Sequence, residues 1–320
     1  MGTIKISVII PCYNCEKMIE QVADRINRTI DEKKEYSWEI ILINDGSVDK
    51  TWNVIKNMAE HDSHIKAVNF SKNFGQHSAM MAGYRMATGD LIVGMDDDGE
   101  NRPEELFMLI DKLNEGYDCV CAEYESHTSF FRSIGTRVNN WMACYMLDKP
   151  KDFTLTSYYV VKRFVIDQAI KYEHSYPYIA GLFLQASNNW GTVRLQRSER
   201  ISGRSGYNIR KLLNLWINGF TAFSVKPLRL ASGLGAFFAM LGIIWGIVLV
   251  IRKLCIGNVV MGYTSLMAAL SFFCGMIMLL LGFVGEYIGR IYISINNSPQ
   301  YVIKEYIDLE KMHKETEDVK

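Results

Sequence analysis

The sequence predicts an α/β domain built on a mostly parallel sheet, followed by a helical hairpin of membrane-crossing length. Three observations carry this. Short apolar runs alternate with longer amphipathic stretches through the first 125 residues, the pattern of strands buried on both faces and covered by helices. Each of the first four runs ends in a polar cluster, where sheets of this kind bind ligands. Two later runs, Leu230–Ile251 and Leu254–Gly285, carry no Asp, Glu, Lys or Arg over 22 and 32 residues, against the roughly 20 a helix needs to cross a bilayer.

The elements follow in order. Ile6–Ile10 is an apolar run stopped by Pro11, and Glu39–Ile43 is a second, closed by Asn44-Asp45-Gly46. Ile65–Phe70, Leu91–Met95 and Asp118–Cys121 are the third to fifth. Between them, Glu16–Ile30, Lys50–Glu60, Gln76–Ala87 and Pro103–Asn114 show helical periodicity. Further on, Phe130–Leu147 and Tyr207–Phe223 mix aromatic and basic residues on helical patterns. That mixture suits a membrane interface, with core packing the alternative.

This gives an α/β domain over residues 1–206 and an interfacial amphipathic helix over 207–225. A hairpin follows over 226–290, with spans near 230–251 and 262–285, and a charged, helical or frayed tail over 291–320. Two spans put the tail on the same side as the domain. Gly233-x-Gly235 and Gly242-x-x-x-Gly246 are places where helices can approach closely, within one chain or between subunits.

Lys plus Arg and Asp plus Glu both number 35, so whole-chain charge predicts no nucleic-acid partner. The N-terminal apolar stretch is too short for a signal peptide, so the domain is expected in the cytosol. Seven cysteines form no disulfide-like framework there. Cys12-x-x-Cys15 reads as small residues in a strand-to-helix turn rather than as a redox or zinc site, because no histidine has zinc-finger spacing.

The strongest chemical signal is Asp96-Asp97-Asp98-Gly99-Glu100 after the fourth run. Adjacent carboxylates repel unless a cation or solvent relieves them. Mg²⁺ and Mn²⁺ prefer oxygen ligands and combine one or two carboxylates with substrate phosphates. A solvated acidic turn is the plain alternative. The other strand ends shift the balance: Tyr13 offers an aromatic face, Asp45-Gly46-Ser47 a turn with backbone amides, and Lys72 a cation beside Gly75.

The series Pro11-x-Tyr13-Asn14, Asn44-Asp45-Gly46-Ser47-x-Asp49, Asn73-x-Gly75, Ala82-Gly83, Ala87-Thr88-Gly89-Asp90 and Asp96-x-Asp98 resembles family 2 glycosyltransferases of the GT-A fold. Arg200-Ile201-Ser202-Gly203-Arg204-Ser205-Gly206-Tyr207, Phe223-Ser224-x-x-Pro227-Leu228-Arg229 and the two spans are similar to the branch that transfers sugars to polyprenyl phosphates. The resemblance implies that Pro11, Tyr13, Asn14, Asp45, Lys72, Asp96 and Asp97 bind a nucleotide-sugar. It implies Mg²⁺ or Mn²⁺ on Asp98, with Asp96 and Glu100 beside it. Asp152 falls near the reacting centre, and Arg200, Arg204 and Ser205 fall where the lipid phosphate is received. Asn44, Gly99-Glu100-Asn101-Arg102 and Thr154 depart from the family pattern.

The expected reaction is therefore inverting transfer from a nucleotide-sugar, UDP ahead of GDP, to undecaprenyl phosphate at the cytoplasmic face of a bacterial inner membrane. Asp98, Asp152 and Arg200 are its expected catalytic residues. A polysaccharide acceptor is the alternative, although the chain has no Q-x-x-R-W. A non-enzymatic membrane module is the third reading, opposed by the intact Asp96-x-Asp98 and the arginine cluster.

Overall fold

The computed structural model describes residues 3–124, 156–175, 177–195, 262–295 and 299–309, with single positions between 233 and 255. The chain forms two units, residues 1–212 with 298–320, and residues 213–297. Asp152, Arg200, Arg204 and Ser205 lie outside the described residues, as do the stretches 130–147 and 207–223.

In the first unit the expected alternation is present: β1 (Ile4–Cys12), α1 (Ile19–Asp31), β2 (Tyr36–Asn44), α2 (Thr51–His61), β3 (Ile65–Phe70), α3 (Gln76–Met86), β4 (Leu91–Gly94), α4 (Leu106–Asn114) and β5 (Cys119–Tyr124). β1, β2 and β3 are buried through most of their length because helices cover both faces, which is why they read as unbroken apolar runs. α1 buries Ile19, Val22, Ala23, Ile26 and Ile30, one stripe at helical spacing.

The later elements are β6 (Tyr159–Lys162), α5 (Arg163–Ala169), α6 (Ile179–Ala186), β7 (Trp190–Leu195), α7 (Tyr263–Ile295) and β8 (Ile303–Ile307). The eight strands form one sheet in the order β7-β5-β6-β4-β1-β2-β3-β8. β1 runs parallel to both β2 and β4, and β2 to β3. β6 is antiparallel to β4 and β5, and β8 to β3. From β1 the chain winds outward to β3, then returns to place β4 on the other side of β1. The switch point of the sheet therefore lies between the carboxyl ends of β1 and β4.

β8 corrects the expectation for the tail. Residues 303–307 are neither helical nor frayed but form an edge strand on β3. Exposure does not alternate along this edge strand, since Ile303 and Lys304 are exposed, Glu305 and Tyr306 half-buried and Ile307 buried, so its sequence carries no strand pattern.

A buried ionic cluster joins the amino-terminal ends of these strands. Glu39 on β2 lies 2.9 Å from Lys66 on β3, and Lys66 lies 3.4 Å from Asp308 after β8. Glu39 Oε1 also accepts from Ser7 Oγ, at 2.5 Å, and from the Thr88 amide, at 2.6 Å. Burial pushes the Glu39 pKa up, but the bonds from Ser7, Thr88 and Lys66 outweigh it and hold the group at about 2.

In the second unit α7 spans 33 residues, about 50 Å at the usual helical rise. Its segment Phe272–Gly289 is long and apolar enough to cross a membrane. Ile277, Met278, Leu281 and Ile288 are exposed along it. The described positions from Gly233 to Ile251 are also helical. Phe238 meets Phe272 edge to face at 5.5 Å. A Cβ on Gly235 would lie 3.3 Å from Leu280, and one on Gly242 3.8 Å from Phe273. Seven residues forward on one segment match seven back on the other, so the two pack antiparallel, with Gly235 the tighter contact of that pair.

Candidate active site

The site forms at the switch point. β1 pairs with β4 only as far as Ile9, opposite Gly94. Pro11, two residues on, has no N–H with which to extend a ladder. It is buried in the strand, whereas Tyr13 stands 50% exposed just beyond it. The two strand ends are tied across this gap, for the Tyr13 amide donates to Asp97 Oδ2 at 3.0 Å.

Asn14 has a φ of 56°, the one positive value outside glycine among the described residues. Asparagine tolerates that conformation better than most side chains, and such strain persists only where neighbours fix it. Here the Asn14 amide donates to Ser47 Oγ and its side-chain oxygen accepts from the Val48 amide, both at 3.0 Å. The β1 and β2 ends thereby form one rigid rim. Asp49 holds the helix start, accepting from the amides of Thr51 and Glu16.

Asp45 joins this rim to the loop after β3. Its two carboxylate oxygens accept the amides of Phe74 at 2.6 Å and Gly75 at 2.8 Å. Burial raises its pKa, and those two amides oppose the rise. Gly46, at φ 66°, packs so closely that an added Cβ would sit 2.5 Å from backbone atoms of Lys72 and Asn73. Lys72 is exposed, with its ammonium 5.1 Å from the centre of the Phe74 ring.

The acid cluster is held from several sides. Gln76, in the first turn of α3, donates to Asp96 Oδ1 at 2.9 Å. The Asp96 amide donates to Asn101 Oδ1 at 2.8 Å, and Asn101 in turn donates to Tyr124 Oη at 3.0 Å. The Glu100 amide donates to Asp98 Oδ1 at 3.0 Å. Burial, then the charges of Asp98, Asp97 and Glu100, push the Asp96 pKa up to about 6, against a lowering bond from Ser157. Asp97 is also raised, chiefly by burial. Proximity of these carboxylates without an opposing cation is what a hard metal ion would relieve.

Oxygen-only donors at a strand end fit Mg²⁺ or Mn²⁺. Yet no three acidic, His or Cys side chains among the described residues are arranged to hold an ion by themselves. Such an ion would complete its shell with water and substrate phosphate oxygens, the usual habit of Mg²⁺.

The sequence-predicted residues Pro11, Tyr13, Asn14, Asp45, Lys72, Asp96, Asp97, Asp98 and Glu100 thus lie on the carboxyl-end side of β1 to β4. Gln76, Asn101, Tyr124 and Ser157 were not anticipated. Asn101 stands in the segment where the family pattern is broken, which was its one signal. Cys12 and Cys15 are buried, and burial followed by Cys15 pushes the Cys12 thiol up, so it is a poor nucleophile.

The sheet is a GT-A-like α/β fold, mostly parallel, with the acidic cluster at its switch point. The fold matches that of glucosyl-3-phosphoglycerate synthase from Mycobacterium tuberculosis, solved with Mn²⁺, UDP-glucose and phosphoglyceric acid. The TM-score is 0.50 at 19% identity, over 67% of this chain and 76% of that one.

The chain belongs to glycosyl transferase family 2, which matches residues 7–172, while residues 226–291 match the GtrB C-terminal hairpin. It is 31% identical to the undecaprenyl-phosphate 4-deoxy-4-formamido-L-arabinose transferase of Proteus mirabilis, over 98% of this chain and 97% of the relative. It is 33% identical to a bactoprenol glucosyl transferase of Shigella phage SfII, over 94% and 97%.

Proposed function

We propose that the enzyme transfers a sugar from a nucleoside-diphosphate sugar to a polyprenyl phosphate, with inversion, at a membrane surface. The observation that carries this is the acidic switch point, where Asp97 accepts the Tyr13 amide and Asp96 accepts from Gln76, next to the loop held by Asp45. The end-to-end match to two relatives named for undecaprenyl phosphate and bactoprenol supports the acceptor.

The chemistry follows from charge. A polyprenyl phosphate is already anionic at neutral pH, so it needs orientation more than deprotonation. Arg200 and Arg204, with Ser205, are the residues proposed to grip that phosphate, since guanidinium groups bind it in a two-pronged way. Tyr13 offers its face to the base, and the Asp45 turn and Lys72 line the route to the diphosphate. Asp98, with Asp96 and then Glu100, would hold Mg²⁺ or Mn²⁺, which supplies charge neutralisation to the departing diphosphate. Asp152 is proposed to act near the reacting centre, either as a general base or by orienting and balancing charge; near-full activity of Asp152→Asn would exclude the base.

The two apolar helices are proposed to cross the bilayer as a hairpin that anchors the enzyme in a bacterial inner membrane, with the domain on the cytoplasmic side. Two facts support it. α7 has the length and composition of a span, and the chain leaves and re-enters the same folded unit around this segment. Association between copies, if it uses these helices, would involve faces other than the one Gly235 gives to Leu280.

Membranes containing the enzyme, incubated with a panel of labelled UDP- and GDP-sugars and undecaprenyl phosphate, test the proposal. Label in a lipid extract that mild acid releases is the expected result. Label confined to polymer, or no transfer from any donor, overturns it.

A further inference from the structure

We propose that the segment re-entering the domain after the apolar helices, centred on Gln300 and Tyr301, positions the donor-site loop Ser71–Gly75. This rests on the reading of that loop as part of the donor site. The segment precedes β8 and touches the loop at its root. The Ser71 amide donates to the Val302 carbonyl at 2.9 Å. The Tyr301 ring stacks on Phe70, the last residue of β3, with centroids 5.2 Å apart and planes within 5°. Phe70 in turn meets Phe74 edge to face at 5.7 Å. Phe74 is the residue whose amide bonds Asp45 at 2.6 Å. Three rings thus connect the returning chain to the carboxylate that closes the loop.

Tyr301 is itself fixed. The Arg85 guanidinium lies over its ring at 5.6 Å and donates to its hydroxyl at 3.1 Å. Arg85 also donates to Gln300 Oε1 at 3.0 Å and to the Tyr172 carbonyl at 3.1 Å. Gln300, 6% exposed, donates to the His174 carbonyl at 2.9 Å. A mere edge strand would need only backbone pairing and surface contacts such as Glu305 with Lys56. The buried amide and clamped ring instead fix one orientation beside the loop, and the register of β3 with β8 shifts between Asn69 and Phe70, next to these contacts. A contiguous chain of packed side chains and hydrogen bonds is the physical route by which one segment can bias the position of its neighbour.

The test compares full-length wild type with Tyr301→Ala, Tyr301→Phe, Glu305→Ala and Asp45→Asn in detergent. UDP and GDP binding, hydrogen exchange of residues 71–76 and thermal midpoint are measured for each. Tyr301→Ala is expected to weaken nucleotide binding about tenfold and to speed exchange in the loop. Tyr301→Phe keeps the stack and should restore most of both. Glu305→Ala should lower the midpoint without moving nucleotide affinity. Wild-type loop exchange in Tyr301→Ala overturns the proposal, as does an equal affinity loss in Glu305→Ala, which would mark general destabilisation. If wild type binds neither nucleotide, or Asp45→Asn binds as well as wild type, the donor-site reading fails. Exchange in the loop still decides the positioning role.

Discussion

The Tyr13 amide donates to Asp97 Oδ2 at 3.0 Å, so one of three adjacent aspartates is spent on joining β1 to the end of β4. That gives Asp97 a structural bond across the gap, in addition to any contact with the donor.

Asp97→Asn keeps an oxygen for the Tyr13 amide, and its activity is expected to stay within about tenfold of wild type. Asp98→Asn should lose on the order of a hundredfold or more in kcat. Steady-state kinetics on matched membrane preparations compare the two, and an Asp98→Asn enzyme of near-normal rate would remove Asp98 from its assigned role.

Because the described carboxylates do not form a three-ligand site alone, Mn²⁺ is expected to bind weakly to the free enzyme and more tightly with UDP present. Electron paramagnetic resonance titration with and without UDP measures this. EDTA should abolish transfer, and Mg²⁺ or Mn²⁺ should restore it. Tight Mn²⁺ binding that ignores UDP would contradict the shared shell.

Glu39 is held at about 2, below its unfolded value. Its contribution to stability is therefore present above the ordinary Glu range and lost as pH falls from about 4.5 toward 2. Glu39→Gln leaves Lys66 with Asp308 alone and should cost on the order of 3 kcal/mol at pH 7. Chemical denaturation across pH is the measurement. The deficit should shrink as the pH drops through that window, and donor KM should not change, because the cluster lies at the amino-terminal ends of the strands.

Gly46→Ala drives a methyl to within 2.5 Å of the Lys72–Asn73 backbone at a φ of 66°. The loop has to move, so donor KM should rise and stability fall by about 1–3 kcal/mol. Gly75→Ala, at φ 90° but with nothing within 4 Å of the added Cβ, should be strained without that displacement. Equal effects on donor KM would argue against the close packing at Gly46.

Much of this domain was legible in sequence for a physical reason. β1 to β5 are largely buried, so their apolar runs were visible, and the polar residues that stop them form the candidate site. β6 is four residues long, and β7 alternates apolar with exposed positions such as Thr192. Local patterning barely distinguishes such strands from loops. The same holds within the site. Tyr13 and Asp98 are recognisable by type and place, whereas Gln76 on Asp96 and Asn101 on the Asp96 amide depend on contacts that only the folded chain brings together. Asp45 was anticipated at the nucleotide, and its carboxylate is found holding two amides of the neighbouring loop.

The position of β8 has a consequence for how the protein is made. β3 has no outer neighbour until residues 303–307 arrive, and those residues leave the ribosome after the apolar helices. The sheet is thus completed only once those helices have been synthesised, with an unpaired strand edge waiting in the interval. An enzyme shortened by stopping the chain before residue 213 would keep that edge open and be prone to aggregate. Supplying residues 298–320 to residues 1–212 through a flexible linker would let β8 close it.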